Sequence, residues 1–360
     1  MTPLRIGIDA RELLGARTGV GRYLGELISR WTSRADADSR QFLLYAPEPL
    51  AVTWPRTDVR IAPGGRGTWW EQTTLSTAIR RDRPDAFFAP AYTAPLRLAM
   101  PFVVTIHDIS FSRHPQWFRP RERVRRHLLT RSAARHASAV VTVSDFSKRE
   151  IADVYGIPAT RIHAIHNGFT ARSCPAGISP ERLVLFAGSI FNRRRVPDLI
   201  AAFSIASRSV PDARLVIAGD NRTWPAEDLA GVATAHGVRE RVALRQYVPD
   251  EELDALYARA SVFAFLSEYE GFGLTPLEAL ACRVPVVVLD TDVAREIYGD
   301  SVTYVRRGDV NGTADVLVRL LTSPQTADPQ IARAPAVLAR YSWDAAAERT
   351  LAIIDEVARQ

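Results

Sequence analysis

Short apolar runs alternate with amphipathic segments along the whole chain. The first run, residues 4–9, precedes a segment in which apolar side chains recur at helical spacing, namely Tyr23, Leu24, Leu27, Ile28 and Trp31. Further strand-like runs of the first half lie at 42–45, 86–89, 102–106 and 139–143, with helical segments between several of them. This alternation of strands and helices predicts an α/β domain built on a doubly wound parallel sheet.

A segment rich in small, turn-forming and proline residues, 170–183, interrupts this pattern. The alternation then restarts, with strand-like runs at 183–188, 213–219, 242–248, 261–267 and 284–289. We therefore predict two Rossmann-like doubly wound domains, residues 1–170 and 171–340, facing an interdomain cleft. The last segment, 341–360, predicts a helix with Ser342 as its N-cap that crosses back to the first domain.

Bulk properties fit this architecture. A chain of 360 residues can bury two cores, and 47% hydrophobic with 24% charged residues is the balance of a globular protein. No apolar run approaches the roughly 20 residues that span a bilayer, and no signal peptide is evident, so we expect a cytoplasmic location. Two cysteines are too few for a disulfide framework, and Cys174 and Cys282 are expected to be ordinary thiols.

The net charge of +6 permits binding to nucleic acid, anionic lipid or phosphorylated substrates. Residues 119–135 carry seven arginines against one acid, Glu122, and place Val124, Leu128 and Leu129 near one face. Such a helix could rest on an anionic membrane surface, or it could simply be solvated. No helix-turn-helix, zinc or aromatic RNA-binding motif is found, so we expect no nucleic-acid partner.

Residues 267–288 carry the most informative motif. Glu270 and Glu278 flank a Gly-Phe-Gly turn that precedes a helix starting near Thr275. Gly271 and Gly273 allow backbone N–H groups to approach an anion, and the helix N-terminus adds partial positive charge. The first carboxylate could accept hydrogen bonds from sugar hydroxyls and the second from a ribose diol. The alternative is a glycine turn with two solvated glutamates.

Two further groups complete the candidate chemistry. Arg193 and Arg194 precede a predicted helix, where paired guanidiniums could hold a diphosphate, although a solvated arginine cluster competes, above all for Arg195. His107 follows the strand 102–106, at the carboxyl end where α/β sheets bind ligands, and Asp108 could orient it.

Two other patterns bear on whether the protein binds a cofactor or a metal ion. Gly19, Gly21 and Gly25 form G-x-G-x-x-x-G, one residue too long for a dinucleotide fingerprint, so an NAD site is disfavoured. The acidic triplets at 36–38 and 290–292 raise a metal-dependent transferase as a rival. Short acidic triplets arise easily by chance, and we predict no metal and no cofactor.

Several motifs together resemble the retaining glycosyltransferases of family 4, which have the two-domain GT-B fold. In family order they include GIDAR at 7–11, TGVGRY at 18–23, WWEQ at 69–72, VTIHD at 104–108, FAGSIFNRRR at 186–195, YEGFGLTPLEALA at 269–281 and REIYGD at 295–300. The resemblance covers most of the chain. Two positions depart from the family pattern: Arg283 stands where glycine is usual, and Thr275 where proline is frequent.

The resemblance implies roles for these residues. His107, Arg193, Arg194 and Glu270 would act on the donor sugar and its leaving diphosphate, and a larger set would bind the donor: Gly19, Gly21, Asp108, Gly188, Val248, Gly271, Phe272, Gly273, Leu274, Thr275 and Glu278. The arginine pair and helix dipole would replace a metal. The expected reaction moves a hexose from a nucleoside diphosphate sugar to a saccharide or lipid-linked acceptor. The first candidate for the donor is GDP-mannose, which would supply mannose. UDP-sugars, an epimerase or phosphorylase of the same fold, and a basic nucleic-acid-binding protein are the alternatives.

Overall fold

The computed structural model describes residues 3–15, 19–175 and 177–359. They form two compact units. Unit 1 comprises Met1–Arg113, Pro120–Gly168 and Tyr341–Gln360, and unit 2 comprises His114–Arg119 and Phe169–Arg340.

Unit 1 is built on a parallel sheet. Its strands are β1 Leu4–Asp9, β2 Arg40–Ala46, β3 Thr57–Ile61, β4 Ala86–Ala89, β5 Phe102–Thr105, β6 Ala139–Thr142 and β7 Ile162–Ala164, in the spatial order β3-β2-β1-β4-β5-β6-β7. Its first helices are α1 Gly19–Ser33, α2 Thr68–Trp70, α3 Ser76–Asp82, α4 Ser110–Arg113, α5 Pro120–His136 and α6 Asp145–Tyr155, with a π-helical turn Glu71–Leu75 between α2 and α3. Several strands are buried along their whole length, as parallel strands covered on both faces must be.

Unit 2 repeats the same architecture. Its strands are β8 Leu183–Ala187, β9 Arg214–Ala218, β10 Val242–Arg245, β11 Val262–Phe265, β12 Val286–Leu289 and β13 Thr303–Val305, in the order β10-β9-β8-β11-β12-β13. The helices are α7 Val196–Ser209, α8 Leu229–Ala235, α9 Asp250–Arg259, α10 Leu274–Ala281, α11 Asp292–Tyr298, α12 Val310–Thr322 and α13 Asp328–Leu338. The order reverses between β8 and β11, as it does between β1 and β4 in unit 1. The predicted α/β class with two doubly wound domains is confirmed.

Short 3-10 turns join several elements, at Arg11–Leu13, Ala37–Ser39, Pro115–Trp117, Ala159–Arg161, Asn192–Arg194, Arg239–Arg241 and Pro324–Ala327. Among the described helices, none is long and apolar enough to cross a membrane.

The last helix, α14 Trp343–Ala358, packs in unit 1. Ser342 caps it by accepting a hydrogen bond from the backbone of Ala345 at 3.3 Å, as predicted. Trp31 of α1 donates from its indole nitrogen to the carbonyl of Ala347 at 2.8 Å, and a side chain at Gly168 would overlap the backbone of Trp343. The helix is therefore an integral part of the core of unit 1.

The expectation of two free thiols is wrong, because Cys174 and Cys282 form a disulfide. Their Cα atoms are 5.7 Å apart, within the range that a disulfide spans. A separation of 108 residues hides this pairing from the sequence. The fold creates it by laying the segment before β8 against the C-terminal end of α10.

Candidate functional site

The candidate site of unit 2 lies where its strand order reverses. Residues 188–195 follow β8 and residues 266–273 follow β11, so both loops leave the carboxyl ends of neighbouring strands. The backbone N–H of Glu268 donates to the carbonyl of Arg193 at 2.8 Å and ties the two loops together. Ligands of open α/β sheets bind at such a switch point.

The two predicted arginines meet the first predicted glutamate in this place. Arg194 donates from Nε to Oε1 of Glu270 at 3.1 Å and from Nη1 to the carbonyl of Ser189 at 2.6 Å. Arg193 Nε lies 3.7 Å from the same carboxylate oxygen, and its guanidinium lies 4.3 Å from the ring centroid of Phe191. Burial lowers the pKa of Arg194, Glu270 raises it, and Arg193 lowers it further. Two adjacent, largely buried cations share one carboxylate, so the site carries an excess of positive charge.

Glu270 presents one of its two oxygens to this cluster. Besides the arginines, Ser267 donates from its hydroxyl to Oε1 at 2.8 Å. Within the described part of the chain, every hydrogen bond and ion pair of Glu270 goes to Oε1. Its second oxygen, Oε2, can therefore accept hydrogen bonds from a ligand.

Two glycines in the site have backbones that a side chain would not tolerate. Gly273, directly before α10, has φ +89°, and a Cβ atom there would lie 2.1 Å from the hydroxyl of Tyr298, which donates to the Gly273 carbonyl at 2.9 Å. Gly188, directly after β8, has φ +127°, and its Cβ would lie 2.5 Å from Nη1 of Arg194. Both positions therefore require glycine for conformation and for space.

Two buried donors in this site have no hydrogen-bond partner among the described residues. They are Nε of Arg193 and the hydroxyl Oγ1 of Thr275, in the first turn of α10. A buried donor without a partner costs about 1–3 kcal/mol, so folded proteins keep few of them unless a ligand or water completes the bond. Leu274 begins the same helix, and the buried residues Gly271 and Phe272 precede it. Orphan donors, guanidiniums and a helix N-terminus together suit an anion such as a phosphate.

Glu278 has different surroundings from Glu270. It lies one turn further along α10, and its side chain is only 5% exposed. Oε2 lies 3.4 Å from the hydroxyl of Tyr257 and 3.6 Å from Nη1 of Arg172. Val248, also predicted to bind the donor, is half-buried in the loop between β10 and α9.

His107 of unit 1 follows β5, as predicted, and is half-buried. Its Nε2 lies 2.9 Å from the carbonyl oxygen of Pro90, and its ring meets Tyr23 edge to face at 5.0 Å. Because a carbonyl can only accept, Nε2 must carry the proton. Burial lowers the pKa of His107, against the opposing effects of Pro90 and Asp108. At neutral pH the imidazole is therefore uncharged, and Nδ1 carries a lone pair.

The other predicted residues of unit 1 lie at the same edge of its sheet. Asp108 accepts from the backbone of Ser110 at 2.8 Å and from the hydroxyl of Tyr92 at 3.3 Å. Gly19 and Gly21 lie in the first turn of α1, and a Cβ at Gly19 would meet nothing within 4 Å. Thr18, the first residue of their motif, lies outside the described residues.

The structure also brings together two motifs to which the sequence assigned no role. Arg11 of the GIDAR motif pairs with Asp9 at 2.7 Å and hydrogen-bonds to Glu71 of the WWEQ motif, and all three are buried. Thr93 donates to Glu71 at 2.6 Å. Burial, together with Glu71, raises the pKa of Asp9 to about 6, although Arg11 lowers it. The cluster anchors the segment after β1.

Arginines pair with the first aspartate of each acidic triplet. Asp36 pairs with Arg34 at 2.9 Å and with Arg40 at 3.0 Å, and Asp290 pairs with Arg295 at 2.7 Å. These aspartates therefore act as salt-bridge partners in the fold.

Comparisons with known proteins place the chain among glycosyltransferases. A family model described as Glycosyl transferases group 1 matches residues 176–336, and one described as Glycosyltransferase Family 4 matches residues 17–172. The O-antigen chain mannosyltransferase B of Escherichia coli is 28% identical over 93% of this chain and 95% of its own length. The GDP-mannose:cellobiosyl-diphosphopolyprenol alpha-mannosyltransferase of Xanthomonas oryzae pv. oryzae is 26% identical over 70% of this chain and 67% of its own.

Among solved structures, a sucrose-phosphate synthase from Thermosynechococcus elongatus superposes with a TM-score of 0.78 over 99% of both chains, at 16% identity. Fold and matches define a glycosyltransferase with the GT-B fold. The two family models and the mannosyltransferase relatives together support a glycosyltransferase of the mannosyltransferase-like branch.

Proposed function

We propose that this glycosyltransferase transfers a hexose from a nucleoside diphosphate sugar to an acceptor hydroxyl with retention at the anomeric carbon and without a metal ion. The observation that carries the proposal is the arginine pair at the switch point of unit 2, where Arg193 Nε and Thr275 Oγ1 have no hydrogen-bond partner among the described residues. A diphosphate would complete these bonds and balance the positive charge. The helix N-terminus of α10 adds to the same field.

Each remaining side chain then has a role in the proposal. Glu270 accepts hydrogen bonds from donor-sugar hydroxyls through Oε2, since its Oε1 is already engaged. Glu278 accepts from the ribose diol of the nucleotide. His107 accepts from a sugar hydroxyl through Nδ1, because its Nε2 proton is committed to Pro90.

The proposed reaction is a displacement on one face of the sugar. The bond between the anomeric carbon and the phosphate oxygen breaks, and its electron pair stays on the departing phosphate, which Arg193 and Arg194 stabilise. The acceptor oxygen forms its bond to the anomeric carbon from the same face. Its proton passes to the departing phosphate oxygen. The sugar is oxocarbenium-like at the transition state, and the arginines supply the positive charge that a metal ion would otherwise provide.

We propose GDP-mannose as the donor. The support comes from the mannosyltransferase-like relatives, one of which is named for GDP-mannose and a diphosphopolyprenol acceptor. The corresponding acceptor here would be a saccharide or lipid-linked saccharide.

A lipid-linked acceptor would bring the protein to a membrane surface, and α5 is proposed to make that contact. Val124 and Leu128 are 47% and 55% exposed, one helical turn apart on this arginine-rich helix. The double variant Val124→Glu, Leu128→Glu should lose cosedimentation with phosphatidylglycerol vesicles. Leu96→Glu, at an equally exposed site outside α5, should not. Equal binding by all three proteins would refute the contact.

A donor panel tests the function. Purified protein is melted with GDP-mannose, GDP-glucose, UDP-glucose, dTDP-glucose and ADP-glucose, because a ligand that binds only the folded state raises Tm. The donor that stabilises it is then supplied with saccharide acceptors in EDTA, and NMR assigns the anomeric configuration of the product. We expect the largest shift with GDP-mannose and a retained configuration. No shift with any nucleotide sugar would refute the function, and transfer that is abolished by EDTA would refute metal independence.

A further inference from the structure

Arg172 lies in the segment that joins β7 to β8, yet its side chain is only 8% exposed. It hydrogen-bonds through Nε to Asp254, and Nη2 lies 3.0 Å from the carboxylate of Asp250. Nη1 lies 3.6 Å from Oε2 of Glu278, and the guanidinium lies 5.6 Å from the ring centroid of Tyr257. One arginine of a connecting segment therefore joins α9 to the carboxylate on α10.

A second tether fixes this segment. The disulfide between Cys174 and Cys282 lies two residues after Arg172 and four residues after Glu278 in the sequence. The disulfide thus holds the segment against the end of α10 two residues after Arg172. Arg172 is held in place by this backbone, as a fixed neighbour of Glu278.

The burial of Glu278 makes that neighbour important. A carboxylate removed from water is costly unless a cation or hydrogen-bond donors compensate for it. At Oε2 the compensation comes from Arg172 and from the hydroxyl of Tyr257 at 3.4 Å. Losing Arg172 would remove a cation from beside this buried carboxylate and would weaken the constraint on its orientation.

We propose that Arg172 is a positioning residue for ribose recognition, holding the Glu278 carboxylate oriented towards the two hydroxyls of the nucleotide ribose. The inference rests on the proposed function, in which Glu278 accepts from that diol. It goes further by assigning the preference for ribose over 2′-deoxyribose to a residue outside the Glu270–Glu278 motif. A residue that merely fastened the segment would affect both sugars equally.

The test compares GDP with 2′-deoxy-GDP, and UDP with 2′-deoxy-UDP, by titration calorimetry. The variants are Arg172→Gln and Arg172→Lys. The control is Arg182→Gln, because Arg182 lies in the same segment as Arg172 but is half-exposed and pairs with Asp212 at 2.6 Å. We expect the wild type and the control to bind the ribose forms about 10-fold more tightly, the strength of a hydrogen bond to a charged group. Arg172→Gln should reduce that ratio to less than about 3-fold, and Arg172→Lys should restore part of it.

Each outcome has a separate meaning. An unchanged ratio in folded Arg172→Gln protein would overturn the positioning role. Wild-type protein that binds nucleotides without any ribose preference would overturn the role of Glu278. Wild-type protein that binds no nucleotide would overturn the proposed function itself. If Arg172→Gln does not fold, Tyr257→Phe removes a second contact to Oε2 and should lower the ratio by a smaller factor, and an unchanged ratio there would also count against the proposal.

Discussion

The two units have the same strand order around their switch points but differ in how the polar groups at that edge are satisfied. In unit 1 one guanidinium lies between two carboxylates, since Arg11 binds both Asp9 and Glu71. In unit 2 two guanidiniums share one carboxylate, and Arg193 Nε and Thr275 Oγ1 have no hydrogen-bond partner among the described residues. The same topology thus carries an excess of negative groups around Arg11 in unit 1 and an excess of positive groups around Glu270 in unit 2, and the second arrangement suits an anion.

The largest effect is expected from Glu270 at the switch point of unit 2. Glu270→Gln keeps the shape of the side chain but removes the charge that faces the arginines and the sugar. We expect transfer to fall by about 100-fold or more, because contacts made at the reacting centre carry most of the rate enhancement. Steady-state kinetics with the stabilising donor measures this. Glu268 is a poor control because its backbone bonds to the loop that carries Arg193. The control is Glu252→Gln, since Glu252 is partly exposed and pairs with Arg245. Full activity in Glu270→Gln would remove this residue from the site.

A smaller effect is expected from His107 in unit 1. His107→Gln should reduce kcat/KM by about 10-fold, the cost of losing one hydrogen bond to the donor sugar. The neutral imidazole is the active form, so wild-type activity should fall as the pH drops below the ordinary histidine pKa and through the lowered pKa of His107. The Gln variant cannot be protonated there. An acidic limb that persists unchanged in His107→Gln would mean that another group titrates.

The disulfide lies in unit 2 and should raise the free energy of unfolding. Cys174→Ser should lower the free energy of unfolding by about 2–4 kcal/mol, because the bond closes a long loop. Urea unfolding of wild type, Cys174→Ser and the exposed control Ser173→Ala measures the change. Wild-type protein should show no free thiol until it is unfolded and reduced. Two reactive thiols before reduction would show that the bond does not form in solution.

The smallest effect concerns Arg283, which stands where the family has glycine. It has φ +60° and follows the end of α10, where Arg283 N–H bonds to Leu280 and Val284 N–H to Ala279. This is a Schellman motif with a non-glycine residue at its left-handed position. Arg283→Gly should therefore stabilise the protein by about 0.5–1 kcal/mol in urea unfolding, while Arg283→Ala, which retains Cβ, should not. Equal effects would show that the backbone there is unstrained.

Much of the fold was accessible from the sequence. Long buried runs such as 262–265 and 286–289 predicted both sheets, because parallel strands covered on both faces are apolar throughout. The pattern missed β3 and β13. β3 has no fully buried position and β13 spans three residues, so neither produces a strong apolar run.

The site was accessible only in part. The motif spacing singled out Glu270, Arg193 and Arg194, which the fold brings together. Arg172 and the Cys174–Cys282 bond carried no signal, because their partners lie 82 and 108 residues away and nothing local marks them. Long-range pairing of this kind depends on how unit 2 packs its linker, which periodicity cannot reveal.

The most direct test of the central claim is the affinity of unit 2 for a nucleoside diphosphate. GDP and UDP are titrated into three proteins: the wild type, the variant that combines Arg193→Ala with Arg194→Ala, and the control Arg182→Ala. The comparison separates the buried cations of the site from an exposed one. We expect the double variant to lose at least about 10-fold in affinity, since each charge-assisted bond contributes about 1.5–3 kcal/mol, and the control to match the wild type. Equal affinity in all three proteins would contradict the assignment of this edge as the donor-phosphate site.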